Sequence, residues 1–204
     1  MLDSPRSMAS ILVVCTGNIC RSPIAEGFLR RLVAARNAPI EVSSAGTSGW
    51  DGSSAMPESI EAAAERGADI SSHLARRLTR DMIQGADVSV AMAAEHRDRV
   101  VWMVPDARSR TFTLKELVRL LEELPPPDPQ PDAEGSLRKR VAAADALRTS
   151  GFAGNPFDED VADPLGLPLE AYRAVAWELE EWCSRLIQGL LGTAAPADLQ
   201  TADG

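Results

Sequence analysis

Apolar positions along the chain alternate between short continuous runs and longer stretches of helical spacing. The run "ILVV", residues 11–14, is β-branched and followed by a glycine turn, which predicts a buried strand from about Ser10 to Cys15. Beyond the turn, Ile24, Phe28, Leu29, Leu32 and Val33 recur at helical spacing. Ser22–Pro23 suits the start of that helix, with Ser22 as N-cap and Pro23 in the first turn. "IEVSSAG", 40–46, reads as a second strand, and 58–66 as a helix stopped at Gly67. "ADVSVAMA", 86–93, reads as a third strand, and 94–100 begins another helix. "TFTLKELVRLLEEL", 111–124, starts extended and becomes an amphipathic helix. Short strands alternating with helices predict βαβ units. The expected fold is a three-layer α/β domain, with a parallel sheet of about four strands and helices on both faces.

The alternation then breaks. "PPPDPQPDAEG", 125–135, is too rich in proline for regular structure and reads as a solvated linker. Residues 136–148 look helical, and 149–164 are loop-like. Together 125–157 read as an insertion, too poor in apolar residues to form its own core, within one domain spanning 1–192. A long amphipathic helix covers 167–191. Residues 1–9 read as a loose leader, and the polar 193–204 as a disordered tail.

Composition narrows the function. Aromatic residues make up only 4% of the chain, so helices rich in Ala, Leu and Val must supply most of the packing. The formal net charge of −9 speaks against nucleic acid and against an anionic membrane surface. A small, locally positive site for an anion remains compatible with it. "ILVVC" is too short to span a bilayer, and no signal-peptide pattern opens the chain. Three cysteines, Cys15, Cys20 and Cys183, are too few for a disulfide framework, so a reducing cytoplasm is expected.

The chemistry concentrates in "VCTGNICRSP", 14–23. A strand ends at Cys15, and a helix opens at Ser22. Such a loop can aim several backbone N–H groups at one centre, and the helix N-terminus adds partial positive charge there. Gly17 permits close backbone approach. Arg21 offers a planar fork for two phosphate oxygens. Cys15 sits where the field favours a thiolate, and no Asp or Glu in the loop would repel a dianion. The arrangement suits nucleophilic attack on phosphorus. A metal site is not expected, because two further cysteines and two histidines give no recognisable ligand spacing, and no cofactor is called for. A nucleotide P-loop is excluded because no Gly-Lys-Ser/Thr follows.

Cys-x5-Arg-Ser, and more specifically "V-C-T-G-N-I-C-R-S-P", resembles the low-molecular-weight protein tyrosine phosphatase family, whose fold is shared by some arsenate reductases and protein-arginine phosphatases. "SSAGTSGW" and "SHLARRLT" extend the resemblance. It implies that Thr16, Gly17, Asn18, Ile19, Cys20, Arg21 and Ser22 surround the phosphate. It further implies that Asn18, Ser44 and His73 support the loop, and that Ser22 bonds the thiolate. Ile19, Trp50 and Leu165 are then expected to line the substrate cleft. The family's Asp-Pro acid matches Asp163 in "VADPLG"; Asp158 and Asp160 are competitors without a following proline. The implied reaction is phosphate-monoester hydrolysis through a phosphocysteine, with a phosphorylated protein as partner.

Ile19 and Trp50 point to phosphotyrosine, whereas the resemblance puts threonine at the Ile19 position in arginine phosphatases. Leu165 and Gly166 stand where tyrosine phosphatases often carry aromatic residues, and Ala93 where many relatives have a carboxylate. Phosphoarginine hydrolysis and a non-catalytic phosphate-binding module are therefore the alternatives. Arsenate reduction needs a relay of close thiols, and Cys183 stands alone as an expected buried hydrophobe. Cys20 is either a packing residue or a trap for oxidised Cys15. His73 is expected to support the loop, and His96, in the charged "AAEHRDRV", to be a solvated surface residue.

Overall fold

In a computed structural model, residues 8–127, 133–152 and 158–192 are described. The leader up to residue 7, the tail from 193, and 128–132 and 153–157 of the expected insertion lie outside them. Four strands, β1 (Ala9–Cys15), β2 (Ile40–Gly46), β3 (Val88–Ala91) and β4 (Thr111–Thr113), form one parallel sheet in the order β2-β1-β3-β4. Around it lie α1 (Arg21–Ala34), α2 (Pro57–Ala64), α3 (Arg80–Gly85), α4 (Ala94–Met103), α5 (Leu114–Glu122), α6 (Ala133–Thr149) and α7 (Leu169–Leu191). A 3-10 turn covers Pro105–Arg110. This is the expected α/β class with the expected strand number and direction.

The unbroken apolar run of β1 follows from its central position. A strand points alternate side chains to opposite faces. Ile11 and Val13 enter a core with Ile24, Phe28 and Leu29 of α1 and Leu179, Leu186 and Ile187 of α7. Leu12 and Val14 enter a second core with Ile83 of α3, Val100 of α4, Val104 and Ala107. Both faces are covered, so a polar residue has no tolerable place in the run. Each fully buried aliphatic side chain contributes about 1.5–3 kcal/mol.

α6 begins earlier than expected, at Ala133, and buries Leu137, Val141 and Ala144 in the main core. Its Arg140 donates to the carbonyls of Leu121 and Gly189, both at 2.9 Å. Arg148 donates to the carbonyl of Thr111 at 3.0 Å. Arginine side chains thus cap carbonyls left open at α5, α7 and the end of the 3-10 turn. The third strand is shorter than expected, because the chain leaves the sheet after Ala91 to approach the site. α3 and the 3-10 turn, each six residues, are too short for periodicity to reveal. Among the described residues, no helix is long and apolar enough to cross a membrane.

The connections out of β1 and β3 lead to opposite sides of β1: β2 lies on one side and β4 beyond β3 on the other. A crevice forms at the carboxyl end of the sheet at such a switch point. Cys15 is the last residue of β1 and lies there.

Candidate active site

The loop from Cys15 to Cys20 is turned inside out by its surroundings. Its six consecutive carbonyls all accept hydrogen bonds from outside. Thr47 N–H donates to Cys15 O and Ser48 N–H to Thr16 O, both at 2.9 Å. Trp50 N–H reaches Gly17 O at 3.2 Å, His73 Nε2 reaches Asn18 O at 2.9 Å, and Met56 N–H reaches Ile19 O at 2.9 Å. Ile24 N–H closes the series on Cys20 O at 3.3 Å. In a trans peptide the N–H points opposite to its carbonyl. With the carbonyls drawn outward, the N–H groups of the same peptides turn toward a common centre. α1 starts at Arg21, and no side chain caps it, which leaves its first N–H groups for an anion. Ser22 is therefore not the cap expected of it; its hydroxyl is used elsewhere.

That use follows from counting protons on Asn18. Its Nδ2 donates to Ser22 Oγ and to Ser44 Oγ, each at 2.8 Å, which spends both hydrogens. Ser22 Oγ is an acceptor in that bond, so its own proton is free for Cys15 Sγ, 2.9 Å away. Asn18 N–H donates to the same sulfur at 3.3 Å. Two donors converging on sulfur suit an anion rather than a thiol. Asn18 Oδ1 accepts from the N–H of Arg76 at 2.9 Å, and Ser44 passes its proton to Glu26. Glu26 is buried and also takes Arg30 at 2.5 Å. This lattice holds Asn18 in the left-handed region, at φ 59°, which Asn tolerates better than most residues. Gly46 lets β2 end against the loop, since a Cβ there would lie 2.5 Å from Thr16 O.

Across the crevice, Arg21 is almost wholly buried and aims one nitrogen at Asp163 Oδ2, at 2.6 Å. The same Nη2 lies 3.3 Å from Thr16 Oγ1, and Nη1 donates to Val161 O at 3.2 Å. The two competing carboxylates are committed to other work. Asp158 pairs with Lys115 at 2.9 Å and Arg119 at 2.8 Å. Asp160 accepts from Ala94 N–H at 2.7 Å, at the start of α4. Glu159 pairs with Arg97 at 3.0 Å, and Val161 N–H bonds Met92 O at 2.8 Å. Asp158, Glu159 and Asp160 are thus held by partners away from the crevice, whereas Asp163 faces it and pairs with Arg21. Leu165 N–H donates to Asp163 Oδ1 at 3.2 Å across Pro164, fixing the carboxylate's direction.

The sequence model of the family described as low molecular weight phosphotyrosine protein phosphatase matches residues 10–144. The chain belongs to that family. A protein-arginine-phosphatase of Geobacillus stearothermophilus is 33% identical over 181 residues, 88% of this chain and 95% of the relative. The low molecular weight protein-tyrosine-phosphatase Etp of Escherichia coli (strain K12) is 39% identical over 120 residues, 59% of this chain and 76% of its own. Among solved structures, the low molecular weight protein tyrosine phosphatase from T. tengcongensis superposes with a TM-score of 0.67 at 33% identity, covering 89% of this chain and 99% of that one.

Besides the cap expected at Ser22, a second expectation is overturned and others are refined. His96 is not a solvated surface residue. Its side chain is 1% exposed, and its Nε2 lies 2.8 Å from Thr16 Oγ1. The charged residues around it occupy the outer face of α4, while the third position of the helix turns inward to the crevice. Burial, and then the charge of Arg21, hold its pKa down at about 4, so the ring is neutral. Of the three expected cleft residues, Trp50 and Leu165 are exposed, whereas Ile19 is buried beneath Gly17. Cys20 is buried at the loop's base, where desolvation pushes its pKa up to about 11. Cys183 is fully buried in the core, and all three cysteines are free. Glu26, Arg76 and Lys115 escaped the sequence reading. For Glu26 a signal existed: it lies on the same helical face as Ser22 and Leu29, where a carboxylate needs a buried partner.

Proposed function

We propose that the protein hydrolyses phosphate monoesters on phosphorylated proteins, phosphotyrosine foremost, through a phosphocysteine on Cys15. The observation that carries this reading is the outward capture of six successive carbonyls, which turns the loop's N–H groups onto one centre beside a buried sulfur hydrogen-bonded by Ser22 and Asn18. A phosphoryl dianion seated there meets those amides and Arg21. As it binds, it competes with Asp163 for the guanidinium and releases the carboxylate. The freed carboxylate takes up a proton from solvent; Sγ then attacks phosphorus in line, the ester P–O bond breaks, and Asp163 delivers that proton to the departing oxygen. The deprotonated Asp163 next takes a proton from water, whose oxygen attacks the phosphocysteine, and inorganic phosphate leaves with Sγ restored as the anion. Loop amides and Arg21 hold the equatorial charge throughout.

Phosphotyrosine is favoured by the rim. Trp50, Leu165 and Leu167 are exposed apolar side chains, suited to an aryl ring and offering no charge for a guanidinium leaving group. Phosphoarginine is the second reading, supported by the relatedness to an arginine phosphatase over most of the chain. We place the enzyme in the reducing cytoplasm, as a single domain to residue 192 in which 125–157 is an insertion. The test is aryl-phosphate hydrolysis by the parent and by Cys15→Ser, with vanadate as competitor. The parent should turn over and be inhibited, and the variant should lose roughly 10^4-fold or more. Residual turnover at the parental rate in Cys15→Ser would end the reading. Parallel assays on phosphotyrosine and phosphoarginine peptides rank the two substrates.

A further inference from the structure

His96 is a buried titratable group at the crevice that the reaction above does not use. Its Nε2 has two oxygen neighbours, Thr16 Oγ1 at 2.8 Å and Glu95 Oε1 at 3.3 Å. Its Nδ1 is buried and has no hydrogen-bond partner among the described residues. Two tautomers are available to the neutral ring. With the proton on Nδ1, a buried N–H would be orphaned, and a lone pair on Nε2 would face the carboxylate of Glu95. With the proton on Nε2, the orphan is only a lone pair, and an N–H faces both oxygens. Buried unpaired N–H groups are the rarer fault. The geometry therefore assigns the proton to Nε2.

Thr16 Oγ1 then receives two donors, His96 Nε2–H and Arg21 Nη2–H, the latter at 3.3 Å. Both of its lone pairs are engaged, and its own proton must find an acceptor elsewhere. Thr16 is the exposed residue of the loop, next to the nucleophile. We propose that His96 is a positioning residue that locks the Thr16 hydroxyl as a donor into the crevice, adding one side-chain hydrogen bond to the oxygens of the bound phosphoryl group. This rests on the phosphate-binding reading of the loop and supplies a donor that the main chain and Arg21 do not. With the opposite tautomer, the Thr16 proton would be consumed by His96, and the hydroxyl would offer the anion only lone pairs.

The experiment has two arms. Long-range nitrogen–proton NMR on the imidazole of the intact protein reads the tautomer directly; Nε2–H is expected between pH 6 and 8. Vanadate and inorganic phosphate are then titrated into the parent, Thr16→Val, His96→Leu and the double variant. Each single variant should bind the anion about tenfold more weakly, as loss of one hydrogen bond to a charged group implies. The double variant should be no worse than either single one. His96→Gln, whose amide can still donate, should recover part of the loss. An Nδ1–H tautomer, or losses that multiply in the double variant, would overturn the assignment. Either result can stand beside Cys15-dependent turnover in the parent, so failure here is distinct from failure of the phosphatase reading.

Discussion

The nucleophile loop and the acid segment meet at Arg21, yet they are held by opposite means. Residues 15–22 are fixed by a buried network in which Asn18 donates to Ser22 and Ser44, and Ser22 donates to Cys15. Residues 158–163 are fixed by ion pairs that reach solvent: the side chain of Asp158 is about half exposed, and so is that of Asp163. Buried hydrogen-bond networks are stiff and costly to break. Surface ion pairs are weak and adjustable. The difference matches the two tasks. In the proposed reaction the cradle holds one geometry for a symmetric anion, whereas Asp163 first releases Arg21, then gives a proton and finally takes one back.

Perturbing each side separately should break the comparison or sharpen it. The largest effect is expected from Asp163→Asn, which removes the acid: kcat should fall by roughly 10^2–10^4-fold. Because the resting Arg21–Asp163 pair is also lost, vanadate should bind as tightly as to the parent or more so. Weaker vanadate inhibition would mean that the pair organises the site rather than competing with the anion.

Next comes acid sensitivity through His96, which sits between the two regions. Its pKa is about 4 in the fold and about 6.5 in an unfolded chain. The unfolded state thus binds the proton first, and stability is lost as pH falls from about 6.5 toward 4. The loss attributable to this group is up to about 3 kcal/mol. Urea midpoints should drop across that window in the parent and less steeply in His96→Asn; parallel curves would remove His96 as the cause.

Ser44→Ala probes the cradle's network. It strands one Asn18 proton and one oxygen of buried Glu26, and should cost about 1–3 kcal/mol in urea denaturation. Lys115→Met probes the acid segment. Lys115 is buried and joins Asp158 to Glu178 of α7, at 2.9 and 2.7 Å. Its loss should lower kcat roughly tenfold, equivalent to about 1.4 kcal/mol, with a smaller change in melting temperature than Ser44→Ala. The reverse ranking would show that the acid segment, not the cradle, carries the fold.

How much was legible in the sequence differs between the two regions for the same reason. The cradle is continuous. "VCTGNICRSP" names the sulfur, the arginine and the asparagine within ten positions, and a strand–loop–helix joint dictates how they meet. The acid candidate Asp163 was readable through the proline that follows it, which Asp158 and Asp160 lack. What the sequence could not show is that Lys115, Arg119 and Ala94, far off in sequence, hold those two competitors. His96 was misplaced because its neighbours in sequence are charged, while its burial depends on where α4 lands against the loop. The helix within 125–157 was read as part of an insertion too poor in apolar residues for a core of its own, and its three buried side chains count because they join the main core with α7.

By itself, then, the sequence settled the α/β class through the covered, unbroken strands, and it named the proposed nucleophile through the motif at the end of β1. Both are consequences of short-range periodicity and of residues joined by a few peptide bonds. The direction of the loop's N–H groups, the partners that hold Asp158 and Asp160, and the burial of His96 were decided only by the tertiary structure. Each depends on which partners are already taken, and hydrogen-bond capacity is shared out among groups that only folding brings together.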